Sequence, residues 1–312
     1  MELANGTTVQ EFILLGFQVG PQGRLLLLII FTAVYTLTLA ENCIIIMTVV
    51  HDVRLARLPM YILLSNFSWL EMCYVTSTAP RMLFDLSFPG GVISFHACFL
   101  QFYVYFSLGT SEGFFLSAMA LDRFLAICHP LRYPQIMSPG FCYVLVAACW
   151  IFGFLCYIVP VFLISRLSFC GSNILDHFVC DSDQLLAVAC PPLGYLPLFC
   201  FIVTSSVIMV TFLFIVVSYA SVVFTLAKRF KESTVFKGFS TVSSHLAVVA
   251  LFYGSVAALY IGHSRESHGD NTKVMTLFYA SLVPMLNPLI YCLRNNQVKK
   301  ALFQLLRTKR VM

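Results

Sequence analysis

Apolar residues recur along the chain in seven long blocks, roughly 24–50, 58–80, 95–121, 141–165, 195–227, 238–263 and 274–293, with charged residues gathered at the joints between them. A helix rises about 1.5 Å per residue, so twenty residues suffice to cross about 30 Å of hydrocarbon. The pattern predicts an all-α membrane protein, a seven-transmembrane helix bundle forming a single domain over residues 1–312. Block five is the cleanest: no charged residue lies between Asp183 and Lys228, so the stretch holds a full helix and part of the loop leading into it. The joints run to about a dozen residues, too short for a soluble domain. Arg166 to Tyr195 is longer, Cys-rich and acidic, and reads as a structured loop on one face.

Composition narrows the class. Hydrophobic residues make up 59% of the chain and charged ones 11%, against about 25% charged in soluble domains, and the mean hydropathy is +0.87. These values exclude a soluble enzyme, a nucleic-acid binder and a disordered scaffold. The net charge of +5 points to topology and not to nucleic acid, because the basic residues sit in the joints. Fourteen of the 19 Lys and Arg fall after blocks one, three and five and in the tail. The positive-inside rule puts those segments in the cytoplasm and the N-terminus outside. Asn5-Gly6-Thr7 is then a glycosylation acceptor on the outer face, whereas Asn66-Phe67-Ser68 lies inside block two, out of a lumenal enzyme's reach. No basic region precedes a short apolar core and cleavage site at the N-terminus, so block one is expected to serve as the targeting signal.

Of the 12 cysteines, Cys170, Cys180 and Cys190 in the long outer joint and Cys98 at the outer end of block three lie on the oxidising face and read as two disulfides, with three connectivities open. Zinc competes poorly, since no C-x-x-C pair is present. After block seven, Val298, Ala301, Leu302, Leu305 and Leu306 recur at helical spacing among Lys299, Lys300, Arg307, Lys309 and Arg310. Residues 294–312 thus form either a short cytoplasmic amphipathic helix on membrane lipid, the favoured reading, or a frayed basic tail.

Pro59-Met60-Tyr61 opens block two, and the run from Met119 through Asp122, Arg123, Phe124, Cys128 and His129 to Tyr133 closes block three. Ser218-Tyr219 follows on block five, Lys237 through Ser244-His245-Leu246 on block six, and Pro284-Met285-Leu286-Asn287-Pro288-Leu289-Ile290-Tyr291 on block seven. Together, in order and over nearly the whole chain, they resemble the tetrapod-type olfactory receptors within the rhodopsin-like G-protein-coupled receptors. The chain departs from the usual pattern at Leu121, Phe124 and Glu41, where the family commonly has Tyr, an aromatic with a hydroxyl and Gly. An acid at mid-bilayer costs several kcal/mol without compensation.

The resemblance implies the disulfide pairs Cys98–Cys180 and Cys170–Cys190, tying down the long outer loop. It gives Asp122 the role of restraining Arg123 at rest, with Tyr219, His245, Asn287 and Tyr291 completing the activation and coupling set. Read as residues alone, Arg123 is equally a snorkelling anchor. Glu71 and Glu112 stand mid-span, where burial favours protonation. By resemblance they would line, with Asn42 and Asn287, a water pocket that holds either a structural sodium ion or simply two protonated acids. No other cofactor is expected.

Helical phase locates a cavity. Arg123 and Tyr105 are 18 residues apart, five turns, so Tyr105 shares the inward face about 27 Å nearer the outside. Phe106, Gly109 and Thr110 accompany it. Opposite them the family places Val203, Thr204 and Val207 on block five, Tyr253, Val256, Ala257 and Tyr260 on block six and Phe278 on block seven. Residues of these types at such spacing are more often plain packing, and the resemblance is what favours a small dry ligand cavity. No acid stands at Tyr105, as for a biogenic amine, and no Lys lies within block seven, as for retinal. Hydroxyls of Tyr105, Thr110, Thr204 and Tyr260 would orient one carbonyl, alcohol or ether, with Tyr253 one turn below as the link to block six. Burial of a small apolar molecule at about 25 cal/mol per Å² gives affinity in the micromolar range.

The expected partners are thus a small, mostly apolar, neutral volatile odorant, a stimulatory olfactory-type G protein that raises cyclic AMP, and lipid, in the plasma membrane of olfactory sensory neuron cilia. A receptor of this fold for a hydrophilic ligand is one rival. A transporter is another, but no inverted repeat or paired broken helices support it. The seven His are scattered and no H-E-x-x-H or G-x-S-x-G occurs, so no catalytic residue is expected.

Overall fold

The computed structural model describes residues 9–88, 90–170, 172–229, 232–264, 269–294 and 298–302, with the backbone path alone at 229, 232–241, 260–264, 269–271 and 291–294. Seven long helices dominate: α1 (Pro21–His51), α2 (Pro59–Ser87), α3 (Phe95–Cys128), α4 (Pro139–Ser165), α5 (Leu196–Arg229), α6 (Glu232–Ser264) and α7. The last is assembled from Gly269–Leu277, a π-helical turn over Phe278–Leu282, and Val283–Arg294. Five of the seven are long and apolar enough to cross a membrane by length and composition alone, and α2 and α3, which carry Glu71 and Glu112, complete the bundle. Large apolar side chains such as Leu26, Ile29, Val50, Val210 and Val217 stand exposed on the outward faces, as a lipid solvent permits and water does not.

The helix starts follow from local chemistry. Pro21, Pro59 and Pro139 occupy first-turn positions, where the missing N–H is no loss. Ser94 and Ser138 cap α3 and α4, accepting from the amides of Ala97 and Phe141 at 3.3 Å each. Block two was expected to end at Pro80, yet α2 runs on to Ser87. Membrane helices absorb an internal proline when neighbours support the freed backbone, and Arg81 and Asp85 pair one turn apart beyond it, at 2.8 Å. Block three likewise continues past Leu121 to Cys128, because Asp122 and Arg123 sit on the helix itself. Block six starts earlier, at Glu232, and helix seven at Gly269.

Helix α3 is the hub, packed against α2, α4, α5 and α6. Its contact with α4 depends on small residues. A Cβ added to Gly153 would stand 1.9 Å from Ser111 Oγ and 3.0 Å from the Ser107 carbonyl. Only a bare α-carbon lets the two backbones approach so closely.

The outer end carries a sheet that the hydrophobic pattern did not announce. Strand β1 (Glu11–Leu14) lies between β2 (Val92–Ser94) and β3 (Ile174–Leu175). It runs antiparallel to β2, with Phe12 opposite Ile93, and parallel to β3, with Leu14 opposite Leu175. The N-terminal segment is thereby fixed to the loops after α2 and α4. The disulfides Cys98–Cys180 and Cys170–Cys190 form at the same end. At the inner end, residues 298–302 are helical, with Val298 and Ala301 buried. Leu305, Leu306 and the basic residues after them lie outside the described residues, as does Asn5.

Candidate functional site

Beneath the second outer loop a cavity of about 440 Å³ opens between α3, α5, α6 and α7. Seven of the residues expected there line it: Tyr105, Phe106, Gly109 and Thr110, placed by helical phase, and Thr204, Val207 and Val256, placed by the resemblance. Val203, Tyr253, Ala257 and Phe278 do not, and the side chain of Tyr260 lies outside the described residues. Ala257 and Phe278 instead stand exposed on the outward face of the bundle. The resemblance placed Phe278 here, but the helix is π-helical over Phe278–Leu282, a turn widened by one residue, and Tyr279 faces the cavity in its place.

Tyr279 completes an aromatic group that sequence periodicity did not assemble. Tyr74 stacks on Tyr105 with ring centroids 5.1 Å apart, and Tyr279 meets Tyr74 at 5.6 Å and Phe252 at 5.7 Å, both edge-on. Gly109 makes room for it: a Cβ there would stand 2.9 Å from the Tyr279 hydroxyl. Thr204 is engaged as well, sharing a 3.0 Å hydrogen bond with Tyr157 of α4, and Tyr157 also lines the cavity. Tyr253 lies just under the floor. Its hydroxyl is 3.8 Å from where a Cβ of Gly113 would stand, and its ring packs on Phe212 at 5.0 Å.

The roof comes from the long loop. Val179, Asp181, Ser182 and Asp183 border the cavity, held in place by the Cys98–Cys180 disulfide and by Gln101. That side chain accepts from the Cys180 amide at 3.2 Å and donates to the Ser77 carbonyl at 3.3 Å, joining α2, α3 and the loop. Asp181 caps the short helix Ser182–Val188, accepting from the Gln184 amide at 2.7 Å. Lys273, buried on α7, reaches Asp176 of the loop at 2.6 Å. Among the described residues that line the cavity there is no Lys, Arg or His.

Deeper in the bundle, Asn287 donates to Glu71 Oε1, and Glu71, Glu112, Asn42 and Asn287 are all buried. Asn42 donates to the Pro284 carbonyl at 3.4 Å. That carbonyl is free because its helical partner four residues on, Pro288, has no N–H. Five oxygens here have no hydrogen bond among the described residues: both of Glu112, Oε2 of Glu71, and the amide oxygens of Asn42 and Asn287. Among the described residues no group of three or more His, Cys, Asp and Glu could hold a metal. The oxygen-only set around the two acids fits a weakly held hard cation better than zinc.

At the inner end Arg123 donates through Nε to Asp122 Oδ2 at 2.9 Å and also pairs with it through Nη2. The other oxygen, Oδ1, accepts from the Tyr133 hydroxyl at 2.8 Å, a contact the sequence contained but did not reveal. Tyr133 belongs to the short helix Tyr133–Ile136 between α3 and α4. Burial, then the neighbouring Asp122 carboxylate, raises its phenol above the ordinary value, so it remains a proton donor in that bond. Tyr219 of α5 hydrogen-bonds His245 Nδ1 of α6. The Tyr291 side chain lies outside the described residues.

Residues 31–309 match the sequence profile of the olfactory receptor family. Among curated human proteins, the chain is 49% identical to olfactory receptor 11G2, over 96% of this chain and 86% of that protein. It is 47% identical to olfactory receptor 11H6, over 96% and 90%, and 45% identical to olfactory receptor 11H4, over 94% and 90%.

Proposed function

The chain belongs to the olfactory receptor family, and on that premise we propose that its cavity takes a small, mostly apolar, neutral volatile molecule and that its inner face activates a stimulatory olfactory-type G protein, raising cyclic AMP. As a member of that family it is a multi-pass, non-enzymatic receptor that senses odorants through a G protein. The observation that carries the ligand class is the lining of the 440 Å³ cavity, which among the described residues offers rings and hydroxyls but no basic side chain. An anionic ligand would lose its hydration there without a counter-charge, whereas an apolar body with one hydrogen-bonding group loses little. Asp181 and Asp183 lie at the rim, Asp181 taken up as a helix cap and Asp183 exposed.

Ligand contact beside Gly113 bears on Tyr253 and hence on α6. At the inner end α6 is tied to α5 through His245 and Tyr219. Outward movement of α6 would open the space beside Arg123, which Asp122 holds in the present arrangement. Arg123→Ala is therefore expected to abolish odorant-evoked cyclic AMP at unchanged surface level. Cells carrying the chain and an olfactory-type G protein, screened with volatile odorants, provide the test, and wild-type-like signalling by this variant would refute the coupling role. The same reading places the receptor in the plasma membrane of olfactory sensory neuron cilia, glycosylated at Asn5.

For the polar centre we propose a sodium ion among Glu71, Glu112, Asn42 and Asn287, supported by their buried, unpaired oxygens. Bound there, it would neutralise one of the two carboxylates. Replacing sodium by choline should then shift the odorant response of the wild type and leave Glu112→Gln insensitive. Equal responses in both salts would assign the cluster to two protonated acids.

A further inference from the structure

A second hollow lies apart from the ligand cavity, between the N-terminal strand, the outer ends of α1 and α2, and the second outer loop. It encloses about 210 Å³. An apolar protein cavity of about 150 Å³ is enough to hold benzene, so there is room for a small organic molecule. Leu14, Met82, Leu86 and Phe178 supply buried apolar walls, and Phe17 stacks on Phe178 at 5.4 Å. Gly91 closes one side. A Cβ there would stand 2.9 Å from Asp85 Oδ1 and 3.0 Å from the Leu14 carbonyl, so glycine alone lets strand and helix approach this closely.

Two ionic side chains border the hollow, Arg24 and Asp85. Asp85 is already matched: Arg81 reaches its two oxygens at 2.9 and 2.8 Å and donates also to the Val92 carbonyl at 3.0 Å. Arg24 is half-buried, and its guanidinium has no ion pair or hydrogen bond among the described residues. Among the described residues the uncompensated charge in the hollow is thus a single guanidinium, a group whose planar donors suit a carboxylate.

We propose that this hollow is an accessory binding site for a small organic carboxylate, its anionic end on Arg24 and its short apolar body against Met82, Leu86 and Phe178. The site goes beyond the odorant cavity and differs from it in charge, since that cavity has no basic lining residue among the described residues. The two share a wall one residue thick: Phe178 borders the hollow, Val179 borders the ligand cavity, and Cys180 beside them is anchored to Cys98. An occupant of the outer site would brace the loop that roofs the inner one.

Binding can be measured without reference to signalling. The full chain in nanodiscs of zwitterionic lipid is titrated with fluorobenzoate by fluorine NMR, with fluorobenzyl alcohol as the neutral counterpart. Saturable fluorobenzoate binding should weaken about tenfold or more in Arg24→Gln, the loss of one charge-assisted bond, and less in Arg24→Lys. Val256→Phe, which fills the odorant cavity, should leave fluorobenzoate binding unchanged, so failure of the odorant reading and failure of this site give different results. A thermal melt of each variant confirms folding. Unchanged affinity in Arg24→Gln, or loss of binding in Val256→Phe, would overturn the proposal. Displacement of fluorobenzoate by anionic phospholipid in the nanodisc would also overturn it, assigning Arg24 to the bilayer headgroups.

Discussion

Gly109 shows how much of the cavity is decided by a side chain that is missing. Its bare α-carbon admits the Tyr279 hydroxyl, which would otherwise lie 2.9 Å from a Cβ, and Tyr279 in turn holds Tyr74 and Phe252 in an edge-on cluster. Gly109→Ala should push Tyr279 toward the ligand and reduce odorant potency about tenfold, since overpacking in a filled core costs roughly 1–3 kcal/mol. Concentration–response curves at matched surface level check this, and unchanged potency would show that Tyr279 has room to retreat. Such contacts were only partly legible beforehand. Tyr105, Phe106, Gly109 and Thr110 follow from regular phase along α3, which is α-helical throughout. Tyr133 on Asp122 and Tyr157 on Thr204 join different helices, and nothing in spacing along one chain segment encodes a contact between two.

At the scale of elements, periodicity located the helices and misjudged where they stop. Pro80 and the pair Asp122–Arg123 looked like ends and are interior to α2 and α3, because a bundle supports a proline and because helix continues beyond the hydrocarbon. The π-helical turn in α7 was illegible for a similar reason. No residue type marks it, and it moved the inward face from Phe278 to Tyr279. The three strands, of two to four residues each, are too short to leave a periodic signal. The α3–α4 seam gives this scale its test. Gly153→Ala should lower the melting temperature of the purified receptor, because the added Cβ meets Ser111 Oγ at 1.9 Å. Ser111→Gly should restore part of the loss. A melt unchanged by Gly153→Ala would mean that the two helices can separate without penalty.

Across the whole molecule three layers are stacked along the bundle. A disulfide-bonded cap holds the roof of an apolar cavity, a buried polar centre of two acids and two amides lies beneath, and the Asp122–Arg123 pair closes the inner end. The family and its seven-helix architecture were legible from the ordered motifs, since each sits on its own helix. The outer cap was not, because a strand pairing between residues 11–14, 92–94 and 174–175 joins segments far apart in the chain. The claim on which the account depends is that ligands are read inside the bundle, and neighbouring residues of α6 separate it from the alternative. Val256 lines the cavity, whereas Ala257 next to it faces outward. The decisive measurement is the odorant concentration–response of cyclic AMP for Val256→Phe and Ala257→Phe at matched surface level. The account predicts at least about a tenfold loss of potency in the first, equivalent to roughly 1.4 kcal/mol, and none in the second. Equal responses in both, or a loss only in Ala257→Phe, would contradict it.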